Sequence, residues 1–147
     1  MADLRLHVDT GAVTYHIYDA DGEEIGKVKF TPTDTGIMER HNKVVEYLNS
    51  IEFKDDMDTE TQVVDLDKKI CAQFDYLFGR PVSKDLFALA NPLTPLENGD
   101  YFFENVLDGI GDVIKEAYQR RLQKKLEKVA EATKEYQEDE ATASDPA

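Results

Sequence analysis

The chain has 147 residues, 41% of them hydrophobic, and a formal net charge of −14. That is enough apolar material for one domain with a core, and too much for wholesale disorder. The acidic balance argues against a nucleic-acid binder, which needs a basic surface to neutralise phosphates, and against an anionic membrane surface.

The first thirty residues read as three strands. Leu4, Leu6 and Val8 alternate with Arg5 and His7; Val13, Tyr15 and Ile17 alternate with Thr14 and His16. From Ile25 to Thr31, Val28 and Phe30 share one face and Lys27 and Lys29 the other. Period-two alternation marks a half-buried sheet. A turn at Asp9–Ala12 would place Val8 opposite Val13, Leu6 opposite Tyr15 and Leu4 opposite Ile17. A turn within Asp19–Glu24 would place Tyr15 opposite Val28 and Val13 opposite Phe30. Both registers set apolar residues against apolar ones. Asp19, Asp21 and Glu23 are spaced like calcium ligands, but the glycine falls fourth and the flanks are strands, so a hairpin turn is the expectation.

After Pro32 the period becomes helical. Thr33, Asp34 or Thr35 can cap a helix whose stripe is Ile37, His41, Val44, Leu48 and Ile51. Lys54–Asp58 is a charged break. Thr59, with Gln62 completing a capping box, opens a second helix with the stripe Val63, Leu66, Ile70, Phe74 and Leu77. Gly79 and Pro81 stop it. Ser83 can cap a short helix, Asn91–Pro95 is a stiff loop, and Asn98–Asp100 turns into the last helix.

That helix is predicted from Asp100 to about Gln137, with the stripe Phe103, Leu107, Ile110, Ile114, Tyr118, Leu122, Leu126, Val129, Thr133 and Tyr136. Some 37 residues would span roughly 55 Å, against a radius of gyration of about 15 Å for a compact chain of this length. The far half of the stripe therefore needs a partner. Between Lys115 and Lys128 lie six basic residues and two acidic ones, a basic band on an acidic protein. The candidate partner-binding residues are Tyr118, Arg121, Leu122, Lys124, Lys125, Leu126, Val129 and Tyr136. A solvated helix face is the plainer reading of the same band.

The fold class is α+β. A three-stranded antiparallel meander over 1–31 and a helical part over 33–137 make one domain, followed by a disordered acidic tail over 138–147. His7 and His16 lack a third ligand for zinc, and His41 on a helical stripe reads as a packed histidine. Cys71, the only cysteine, excludes an internal disulfide, fits a reducing compartment and reads as an inert core thiol. There is no P-loop, dinucleotide turn, nucleophile elbow or zinc-protease motif. No enzymatic activity, cofactor or metal is expected. Neither a signal peptide nor a run of about 18 apolar residues is present.

Several segments together resemble a family of small proteins encoded in the tail-gene clusters of long-tailed (siphovirus-type) bacteriophages of Gram-positive bacteria. They are Lys29-Phe30-Thr31-Pro32-Thr33-Asp34-Thr35, Phe74-Asp75-Tyr76-Leu77-Phe78-Gly79-Arg80-Pro81-Val82-Ser83, Phe87-Ala88-Leu89-Ala90-Asn91-Pro92, and the long helix with its basic second half. The similarity covers roughly Val28 to Tyr136. It implies a tail assembly chaperone of the host cell cytoplasm. Such a protein would coat the tape-measure protein until tube subunits polymerise round it, with homo-oligomers possible and neither nucleic acid nor membrane as a partner. A structural subunit at the tail end or neck, and a small phage regulator or antagonist of a host defence protein, are the alternatives.

Overall fold

Val13–Tyr18 (β1) and Glu24–Phe30 (β2) form an antiparallel pair in the register that alternation predicts, with Tyr15 opposite Val28 and Val13 opposite Phe30. The structure, a computed structural model, describes residues 2–143, with side chains as far as Tyr136. The turn between the strands is organised by Asp19. Its Oδ1 accepts from the backbone N–H of Asp21 and of Glu23, each at 2.9 Å. This carboxylate is occupied in closing a hairpin.

The sheet has two strands among the described residues, not three. The segment Leu4–Val8 is unpaired, and Leu4, Leu6 and Val8 are 93%, 88% and 68% exposed. The expected first hairpin does not form because the chain before β1 is held elsewhere. Gly11 N–H donates to Asp9 Oδ1, and Thr31 Oγ1 donates to the Thr10 carbonyl at 3.1 Å. The segment leaves the sheet instead of turning back along β1. Alternation shows that a segment can bury one face; it does not show that its own fold supplies the cover.

Four helices lie between the sheet and the last helix. α1 (Thr35–Asn49) is capped by Asp34, whose side chain accepts from Gly36 N–H. α2 (Phe53–Asp56) is a single turn within the expected charged break, held by Phe53 stacking on Tyr101 at 5.2 Å. α3 (Glu60–Phe78) opens with the full Thr59–Gln62 capping box and closes at Gly79, whose φ of 70° is the left-handed conformation that favours glycine. α4 is the short turn Ser83–Leu86.

The core sits between α1 and α3. Ile37, Val44, Ile70, Phe74 and Leu77 are almost wholly buried, and Val28 and Phe30 of β2 close one side. Four hydrogen bonds made by side chains fix this layer. Arg40 Nε donates to the Leu77 carbonyl at 2.9 Å, satisfying one of the last carbonyls of α3. Asp75 accepts from both the backbone N–H and the hydroxyl of Ser83, at 2.8 and 3.1 Å. Asp67 accepts from Leu93 N–H at 2.9 Å, tying the proline loop to α3. Asp75→Ala strands two half-buried donors. It is expected to cost about 1–3 kcal/mol, read as a lower urea midpoint with an unchanged slope.

The final helix, α5, spans Phe102–Ala143. Its start is built into the body: Phe102 N–H donates to the Thr94 carbonyl and Phe103 N–H to the Pro92 carbonyl, both at 2.9 Å. The helix passes the expected end near Gln137. Alanine, glutamate and glutamine are good helix formers, and they carry it on. The acidic tail expected over 138–147 therefore overlaps α5 as far as Ala143, and residues 144–147 lie outside the described residues.

Candidate protein-binding surface

At about 1.5 Å per residue, the 42 residues of α5 extend roughly 63 Å. The helix divides sharply. In the first half Phe103, Ile114 and Ala117 are buried, and Phe102, Val106, Leu107, Ile110 and Val113 pack against the core. Gly111 allows this approach: a Cβ there would stand 3.2 Å from His41 Nε2 on α1. From Leu122 to Tyr136 every residue is exposed. Leu122 is 41% exposed, Leu126 55%, Val129 47% and Tyr136 69%.

The structure separates the eight candidate residues into two groups. Tyr118 is half-buried and lines a small recess between α1 and α5 with Met38 and His41. Arg121 belongs to the body. Its Nη1 donates to Thr33 Oγ1 at 2.9 Å, and the guanidinium lies against Gly11. Among the described side chains of α5, none beyond it hydrogen-bonds to another element. Leu122, Lys124, Lys125, Leu126, Val129 and Tyr136 all stand beyond it on the projecting half.

The apolar positions on that half repeat with steps of four and three: Leu122, Leu126, Val129, Thr133, Tyr136. This is the 3.5-residue period of a coiled-coil seam, which keeps facing one helical partner as the pair winds. Ala130 and Ala132 flank the seam and widen it. The reading from sequence did not include these alanines, although the period that reveals them was present. Lys124, Lys125 and Lys128 add positive charge near the body end, and they are exposed. Such charges steer acidic partners more than they strengthen the final complex.

Two titratable groups sit elsewhere. His41 lines a groove of about 700 Å³ between α1 and α5 with Asp108, Asp112 and Lys115, and its buried Nε2 has no hydrogen-bond partner. Burial lowers its pKa below the ordinary 6.5. The unfolded chain therefore takes up this proton more readily than the folded one. Stability falls as pH drops through about 6.5, and the group contributes nothing to the pH dependence well above that value. His41→Gln is expected to flatten this part of the profile, as checked by urea midpoints at about pH 5.5 and 7.5. Cys71 packs against the core, and burial, helped by the charges of Asp67 and Asp75, pushes its thiol pKa up. A protonated thiol is a weak nucleophile.

Among the described residues no group of three or more His, Cys, Asp or Glu side chains is placed to hold a metal ion. Nor is any helix among them long and apolar enough to cross a membrane. The chain matches no protein-family model, no curated protein and no solved structure.

Proposed function

We propose that this protein binds a helical protein partner along the projecting half of α5, and that it serves as a tail assembly chaperone for a phage tape-measure protein. One observation carries the binding half of this reading: every residue of the apolar seam from Leu122 to Tyr136 is exposed, on a helix whose first half is firmly packed. A seam of this period buries its apolar side chains against another helix, side by side. A tape-measure protein offers long helices with apolar stripes that aggregate when left bare. The lysines beside the seam favour acidic stretches on such a partner.

The phage assignment rests on the resemblance of Val28 to Tyr136 to tail-cluster proteins. The test is co-expression with the tape-measure protein of the same gene cluster. A chaperone raises the soluble fraction of that protein and co-elutes with it, and it is absent from purified virions by mass spectrometry. Presence in virions at fixed stoichiometry would instead favour a structural subunit. An unchanged soluble fraction without co-elution would refute the chaperone reading.

A further inference from the structure

A second unfilled apolar surface lies at the other end of the fold. β1 is hydrogen-bonded to β2 alone, so its other edge is open among the described residues. An open edge is a template for another strand. Along β1 runs a groove of about 540 Å³ whose lining includes four consecutive residues of that strand, Tyr15 to Tyr18. Val28 supplies the sheet floor, and Val106, Ile110 and Val113 of α5 form the opposite wall. Gly109 also lines it, and a Cβ there would meet nothing within 4 Å. A glycine inside a helix costs about 1 kcal/mol relative to alanine. Here it leaves the groove wider than the monomer needs.

The chain carries a segment shaped for this groove. Leu4, Leu6 and Val8 alternate with Arg5 and His7, as in a strand with one apolar face, and all three apolar side chains stand in solvent. Five extended residues span about 17 Å, close to the length of the six-residue β1. In the single chain the segment is not paired with β1; the residues that follow it are anchored where Thr10 is tied to Thr31 and Gly11 lies against Arg121.

We infer that the groove receives this segment from a second copy of the chain. Residues 4–8 of one copy add as a strand to the open edge of β1 in the other, with Leu4, Leu6 and Val8 in the groove, and the exchange is reciprocal. The sheet then has three strands in each half of the assembly, the third lent by the neighbour. Reciprocal exchange closes on itself as a two-fold pair, buries six large apolar side chains and covers the open β1 edge of each copy.

Light scattering on the full chain tests this, with two variants. One lacks residues 2–8, which are exposed, and keeps the body. The other is Gly109→Leu, which fills the groove and leaves the segment untouched. The full chain is expected at the mass of two copies. Each variant is expected at the mass of one, with its helical circular dichroism retained. A full chain that runs as a single copy overturns the inference, and so does an assembly that survives either change. Leu126→Glu combined with Val129→Glu is expected to leave the assembly intact, which separates this surface from the α5 seam.

Discussion

Replacing Phe74 by alanine is expected to lower the free energy of unfolding by about 3–5 kcal/mol, the usual cost of removing a fully buried aromatic side chain. Phe74 has no exposure at all. Its ring meets Phe87 edge-on at 5.1 Å, and Phe87 meets Phe102 edge-on at 5.7 Å. The first ring stands on α3, the second just after α4 and the third at the start of α5. Truncating Phe74 leaves a cavity at the middle of the core and removes the ring that Phe87, itself the neighbour of Phe102, meets edge-on. Domains are stable by about 5–15 kcal/mol in total, so this single change removes a large fraction of the margin. Urea denaturation followed by circular dichroism measures it. A loss below about 1 kcal/mol would mean that the aromatic column does not hold α5 on the body.

The second expectation runs the other way, with a large effect on binding and almost none on folding. Leu126→Glu with Val129→Glu should shift stability by no more than about 0.5 kcal/mol, because both residues are exposed on a helix and glutamate is a good helix former. Partner binding should weaken by about 100-fold or more. Each apolar anchor contributes about 1.5 kcal/mol at the low end of the range for burial, and about 1.4 kcal/mol is a factor of ten. Lys124→Glu with Lys125→Glu should act more weakly, slowing association at low salt and converging on the unaltered chain as ionic strength rises. Titration of the partner by fluorescence anisotropy at two salt concentrations separates these effects. Equal losses from both pairs would argue against an apolar seam as the source of affinity.

Much of the fold could be read locally. The β1–β2 register followed from apolar residues opposing each other, and the Thr59–Gln62 box and Gly79 marked the ends of α3. These signals lie within a few residues of their effect. What sequence could not give was distance. Arg121 looked like one more cation of the basic band, yet it is spent on Thr33, 88 positions away. The bonds from Asp75 to Ser83 and from Asp67 to Leu93 also join carboxylates to partners beyond any helical period. The strand expected at Leu4–Val8 failed for the same reason: its pattern is correct for a strand, and the chain's path decides whether an edge is within reach. The candidate surface was legible as a stripe. The point at which burial stops depends on the length of the body beneath it, and only the fold shows that boundary.

The departure of α5 at Arg121 also bears on what complex formation costs. A peptide of about 15 residues holds its helix only marginally in water. Between Leu122 and Tyr136 no neighbouring layer guards the amide protons, so they should exchange with deuterium far faster than those around Phe74. A ligand that docks there must first quench this fraying, and part of its attraction is consumed in doing so. Slow exchange appearing in that stretch only when the ligand is added would record the capture directly, residue by residue.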